Sequence, residues 1–147
     1  MFRHILVPTD GSDLSKRAAA AAIAEARAVG ARLTVLHAMP AATPLVFGPL
    51  LPVAYMPPEE HEKLVSKAAD IYLADIKALA EQAGVDCRTV KVTSEFPAQA
   101  IIDTARQRHC DLIWMASHGR RGMAAVLLGS ETQKVLAHAG LPVLVYR

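Results

Sequence analysis

Short apolar runs rich in β-branched residues and leucine alternate along the chain with longer, alanine-rich stretches of helical period. "HILVPTD" reads as a buried strand that ends at a turn. "SDLSKRAAAAAIAEARAVG" predicts a helix with Ser12 as N-cap and Gly30 just past its end, and "RLTVLHA" predicts a second strand. "PPEEHEKLVSKAADIYLADIKALAEQAG" predicts a long helix opened by Pro58 and acidic residues and closed by Gly84, leading into a third strand, "VDCRTVKV". The pattern continues with a helix "PAQAIIDTARQRH" that has Pro97 in its first turn, a strand "CDLIWMA", a helix "SETQKVLAHAG" and a last strand "LPVLVYR".

Strands separated by helices throughout predict an α/β fold: a doubly wound, Rossmann-like, five-stranded parallel sheet of order 3-2-1-4-5, with helices on both faces. In such a sheet ligands bind beyond the carboxyl ends of the strands, where the strand order reverses. That point lies between strands one and four, whose trailing loops are "PTDGS" and "ASHGRRG". These loops hold the densest Gly, Asp and Ser content of the chain, so topology and composition indicate one crevice.

The second loop has phosphate-binding chemistry. Glycines let a backbone approach a phosphate closely, and Gly129-Ser130 adds a helix N-terminus with inward-facing amides and a positive dipole end. The spacing is neither that of a Walker A loop nor GxGxxG. Ser130-Glu131-Thr132-Gln133 also fits an S-x-x-Q capping box, a role compatible with phosphate binding.

Length and charge narrow the picture. The 147 residues fit one domain, expected over 1–147, and the net charge of +2, from 16 basic and 14 acidic residues spread along the chain, provides no polybasic arm for nucleic acid. Two cysteines without CxxC spacing suit a reducing compartment. No run has signal-peptide or membrane-spanning character, so a cytoplasmic protein without a membrane partner is expected.

The strand end "ILVPTDGSDLSKRA", the strand "LTVLHA" and the segment "CDLIWMASHGRRGMAAVLLGSETQKVLAHAGLPVLVYR", in that order, resemble the universal stress proteins of single-domain bacterial type over the whole chain, least so over residues 39–58. The family's late motif is Gly, two residues, Gly, nine residues, Gly-Ser/Thr; Gly119 and Gly129-Ser130 match it, while Ala116 stands where the first glycine belongs. If Ala116 is extended, the methyl group costs little; if its φ is positive, nucleotide binding weakens. A second departure is Ser94-Glu95-Phe96-Pro97, where the family tends to have a glycine before the proline.

The resemblance implies a site for ATP or a related adenine nucleotide. Pro8, Thr9 and Asp10 match the early nucleotide-contacting turn, with the Asp10 carboxylate near the ribose or a nucleotide-bound Mg ion. Ala38 matches the position whose backbone reads adenine, Met115 an apolar contact to the base, and Ala116, Ser117, His118, Gly119, Arg120, Gly122, Gly129, Ser130 and Glu131 the phosphate-side loop. Other roles remain open residue by residue. Asp10 suits an Asx-turn, Met115 a core, His37 and His118 a loop near the crevice without a third metal ligand, and Arg120-Arg121 a solvated turn.

No hydrolytic triad has supporting spacing. The function expected is a nucleotide-dependent binding or signalling module of the stress response; the alternatives are a slow ATPase or phosphotransferase at the same site, and a dimeric stress protein that binds no nucleotide. A homodimer through the last strand, Pro142 to Arg147, is expected because an apolar edge invites pairing. The proline-rich, apolar stretch 39–58, with Phe47, Leu50, Leu51, Val53 and Tyr55, is expected to cover the crevice or to pack on a partner subunit.

Overall fold

The computed structural model describes residues 1–41, 57–119 and 128–147. The elements follow the order β1 (His4–Pro8), α1 (Asp13–Val29), β2 (Arg32–Met39), α2 (Pro58–Gln82), β3 (Cys87–Thr93), α3 (Pro97–Gln107), β4 (Leu112–Ala116), α4 (Ser130–His138) and β5 (Val143–Tyr146). The sheet is parallel with order β3-β2-β1-β4-β5. β1 is central: Ile5 faces Leu33 of β2 and Leu112 of β4.

Burial on both faces explains why the strands read as continuous apolar runs. On one face Ile5, Val7, Leu33, Val35, Leu112 and Trp114 meet α1 and α2. On the other Leu6, Leu36, Ile113 and Met115 meet α3 and α4. Helix α1 presents Ala18, Ala19, Ala22 and Ala26 to the sheet, and side chains this small let its backbone lie close to the strands. Its ends are those expected from the sequence: Ser12 accepts a hydrogen bond from the Ser15 N–H (3.2 Å), and Gly30 closes the helix at φ 72°.

The amino ends of the strands are tied by polar groups. The Asp111 carboxylate accepts from the N–H groups of Arg3 and His4, and His4 Nε2 lies 2.8 Å from Thr34 Oγ1. Burial, reinforced by Arg32 and opposed by Asp111, holds the His4 imidazole below its ordinary pKa. Both cysteines are free, and burial pushes each thiol up to about 11, so neither is an activated nucleophile.

The expected elements are all present, with shifts at their ends. β1 stops at Pro8 rather than reaching Asp10, and α2 ends at Gln82, before Gly84 turns left-handed at φ 74°. The expected covering segment falls mostly outside the described residues, which omit 42–56.

Candidate functional site

The chain leaves β1 through a turn fixed by its own side chains. The Thr9 N–H donates to the Leu36 carbonyl (2.8 Å), which holds the turn against β2. The Thr9 hydroxyl accepts from the Gly11 N–H (3.2 Å) and lies 3.0 Å from Ser15 Oγ, on the first turn of α1. Asp10 Oδ1 accepts from the Ser12 N–H (3.0 Å), so the Asx-turn reading of this residue holds.

Two residues from other elements complete the turn: His37, which lies in strand β2 and not in a loop as expected, and Tyr72 of α2. His37 Nδ1–H donates to the Thr9 carbonyl (2.7 Å), and its ring meets Tyr72 of α2 edge-on, 5.4 Å between centroids. Tyr72 covers Gly11, where φ is +77° and a Cβ would lie 2.5 Å from the ring. Nothing in the sequence marks Tyr72 for this position, because its contact with Gly11 joins the start of α1 to the middle of α2. His37 is thus buried against the turn, whereas His118 is half-buried with Nδ1 3.1 Å from Ser117 Oγ.

The chain leaves β4 differently, through backbone-to-backbone approach. The Ser117 N–H donates to the Tyr146 carbonyl of β5, and the Ser117 carbonyl accepts from the Gly129 N–H, both at 2.7 Å. A Cβ on Gly129 would lie 3.2 Å from His118 Cα and 3.3 Å from the Ser117 oxygen, so a side chain here would have to push the end of β4 back by a few tenths of an ångström, and glycine lets α4 start against it without that shift. Thr132 Oγ1, 3.1 Å from both the Ala116 and Ser117 carbonyls, pins the first turn of α4 to the same place.

That register overturns the expected capping box. Gly129 is the N-cap and Ser130 the first helical residue, so the third helical position belongs to Thr132, whose hydroxyl is turned to β4. Gln133 Nε2 donates instead to the Leu128 carbonyl (2.9 Å), and Ser130 is exposed. The Glu131 carboxylate is directed away from the crevice: Oε2 accepts from the Ala98 N–H in the first turn of α3 (2.8 Å), and Oε1 from Lys134 (2.8 Å). Glu131 therefore ties α4 to α3, and its backbone remains at the α4 N-terminus.

Of the expected site residues, Asp10 and Gly119 meet between the two loops. A Cβ on Gly119 would collide with Asp10 Oδ2, which places the start of the β4 loop directly against the β1 turn. Pro8 ends β1 opposite Leu36, and Ala38 lies in β2 opposite Val92. The Met115 side chain is buried in the α3–α4 core cluster. Ala116 is an extended strand residue paired with Tyr146, its methyl group in the α1–α2 cluster, and the one positive-φ non-glycine among the described residues is His109. Arg120, Arg121 and Gly122 lie outside the described residues.

In chemical terms, the crevice offers a carboxylate at Asp10, close backbone at Gly119 and Gly129, and the first-turn N–H groups of α4, which as a class lack intrahelical acceptors. Among the described residues no three His, Cys, Asp or Glu side chains are grouped to hold a metal ion, and no helix is long and apolar enough to cross a membrane.

Known proteins share this architecture. The family model described as "Universal stress protein family" matches residues 1–147. A Thermus aquaticus protein named "Universal stress protein in QAH/OAS sulfhydrylase 3'region" is 39% identical over 147 residues, covering 100% of both chains. The Bacillus subtilis universal stress protein YxiE is 33% identical over 150 residues, again with 100% of both chains covered. Among solved structures, a universal stress protein in complex with cAMP superimposes with a TM-score of 0.71 at 26% identity, covering 99% of this chain and 97% of that one. The Archaeoglobus fulgidus universal stress protein in complex with dAMP gives a TM-score of 0.69 at 20% identity, with 99% and 98% covered. An Arabidopsis thaliana family member with AMP bound gives 0.67 at 17%, with 98% and 90% covered. With its strand order, its two converging loops and a family match along its full length, the chain belongs to the universal stress protein family.

Proposed function

We propose that this protein binds ATP or a related adenine nucleotide at the carboxyl ends of β1 and β4, and that it acts as a nucleotide-dependent binding module of the stress response. The observation that carries this reading is the apposition of Asp10 and Gly119 beside the N-terminus of α4. An anionic ligand there meets backbone amides and a positive dipole end, and Gly129 keeps the approach clear of side chains. The related structure with cAMP supports adenine nucleotides as the ligand class.

In this reading the exposed Ser130 hydroxyl donates to a phosphate oxygen, and Asp10 contacts the ribose or a Mg ion brought by the nucleotide. The Ala38 backbone lies on the adenine side, and Met115 supports the base from within the core. Arg120 and Gly122 complete the phosphate loop. The extended conformation of Ala116 removes the objection that a positive φ would raise against the missing glycine. The described parts of the two loops hold no lysine to meet a γ-phosphate, which favours binding over fast catalysis.

The same reading includes a homodimer through β5, an edge strand with a half-exposed apolar sequence, and a cytoplasmic location, in keeping with two free thiols. Isothermal titration of the purified protein with ATP, AMP and cAMP tests the ligand. Saturable one-site binding to at least one of them is expected, and absence of both heat and thermal stabilisation at millimolar nucleotide overturns the proposal.

A further inference from the structure

Helix α2 carries an apolar stripe on its outer side. Its buried side presents Ala69, Leu73, Ile76 and Ala80 to the core. Leu64 (55% exposed), Ile71 (54%) and Leu79 (48%) lie on the opposite side, and they are three of the eight exposed large hydrophobic residues among those described. Spacings of seven and eight residues keep these side chains on one face of a helix, with the exposed Ala78 beside them. A lone exposed leucine needs no explanation, but a stripe of this kind on a 25-residue helix does.

The charges beside the stripe indicate what covers it. Lys67 and Asp75 stand four residues before and four after Ile71, on the ridge that runs through it. Neither belongs to an ion pair among the described residues, where the charged neighbours on this helix pair elsewhere, Lys77 with Glu81 and Asp70 with Lys91. When two copies of a helix pack antiparallel about a two-fold axis at one residue, each position before that residue meets the equivalent position after it in the other copy. Centred on Ile71, this rule sets Lys67 against Asp75 twice, Leu64 against Ala78, Ala68 against Ala74, His61 against Glu81, and Leu79 against Lys63, whose aliphatic stem can lie on it. No like charges meet along this series, and the alanines permit close approach. The face is thus complementary to itself.

We infer that the outer face of α2 is a self-association surface for a second copy of this chain, packed antiparallel about a two-fold axis at Ile71. It is separate from the β5 edge and does not depend on nucleotide binding. One helix pair buries less than a standard interface, so the association is weak and concentration-dependent. Combined with pairing at β5, a second two-fold contact would join dimers into larger closed or open assemblies.

Sedimentation velocity from about 10 µM to about 1 mM, a range suited to weak association, tests this directly. Average mass should rise with concentration above the species present at the lowest concentration. Ile71→Glu should abolish the rise, and Lys67→Glu, which sets a carboxylate against Asp75 twice, should weaken association about three- to tenfold. Lys67→Glu combined with Asp75→Lys should restore it to within about twofold, because the pair is reversed and not removed. These positions are exposed, so circular dichroism melting is expected to show native folds. Under mild oxidation, Ile71→Cys should give a disulfide-linked dimer through the introduced thiol. A flat mass profile, an Ile71→Glu curve that coincides with wild type, or a double charge reversal that fails to restore association would overturn the inference.

Discussion

The loops after β1 and β4 occupy the same crevice, yet they are built on opposite plans. The β1 turn is closed by side chains: Thr9, Asp10 and Ser12 bond to nearby backbone or hydroxyl groups, His37 donates to the Thr9 carbonyl, and Tyr72 lies over Gly11. The β4 exit is closed mainly by backbone: the Ser117 N–H and carbonyl bond to Tyr146 and Gly129, with the Thr132 hydroxyl as the pin and Ser117 Oγ beside His118. A loop whose side chains are engaged makes a rigid wall. The described ends of the second loop, joined through their backbone, leave the adjoining Ser130 hydroxyl exposed at a helix N-terminus. Under the proposed function, the first would fix the place of a ligand and the α4 N-terminus beside the second would bind it.

If the β1 turn is the rigid wall, Gly11 is its most sensitive point. Gly11→Ala must keep a left-handed backbone and must also displace the Tyr72 ring. The two costs together should lower folding stability by about 2 to 5 kcal/mol, read from urea or guanidinium unfolding. Adding Tyr72→Ala should recover the steric share and leave the backbone share, so the double variant is less destabilised than the two single changes summed. Strict additivity would mean that the ring is not what confines Gly11.

Ser130→Ala probes the other plan. Since Ser130 is not the N-cap, its loss should change folding stability by no more than about 0.5 kcal/mol. If the hydroxyl donates to a phosphate, nucleotide affinity should fall by about 1.5 to 3 kcal/mol, roughly ten- to over a hundredfold in Kd by calorimetry. A substantial stability loss with unaltered affinity would restore the capping role and remove the phosphate role. Thr132→Val is the structural counterpart. It deletes the buried hydroxyl that bonds to the Ala116 and Ser117 carbonyls and should cost about 1 to 3 kcal/mol of stability.

The contrast also explains what the sequence revealed. The alternation of buried strands with alanine-faced helices, and caps such as Ser12 and Gly30, are local signals; they lead to the right sheet, and its order brings the loops after β1 and β4 together at Asp10 and Gly119. The register of α4 is not local. Ser130-Glu131-Thr132-Gln133 satisfies a capping box by spacing, but the Gly129 N–H and the Thr132 hydroxyl bond to the end of β4, and these contacts set the helix start. Tyr72 over Gly11, and Glu131 reaching to α3, likewise join parts of the chain whose meeting no periodicity announces.

Ala116→Gly gives the smallest expected effect and the finest test of the comparison. The family motif has glycine here, and a reading of the motif alone would expect its restoration to improve nucleotide binding. The structure argues otherwise. Ala116 is extended, is paired with Tyr146 in β4, and directs its methyl group into the α1–α2 core cluster. Its conformation does not require glycine, and the methyl group fills core space. Replacement should therefore cost about 1 to 2 kcal/mol of folding stability, from the lost methyl burial and from the greater freedom of glycine in the unfolded chain, while nucleotide Kd stays within about twofold of wild type. Thermal unfolding with and without nucleotide measures both quantities on one sample, because a ligand that binds both proteins equally raises both melting curves by the same free energy. A large gain in affinity would show that the methyl group obstructs the ligand, and would place the nucleotide against β4 itself and not against the loop that follows it.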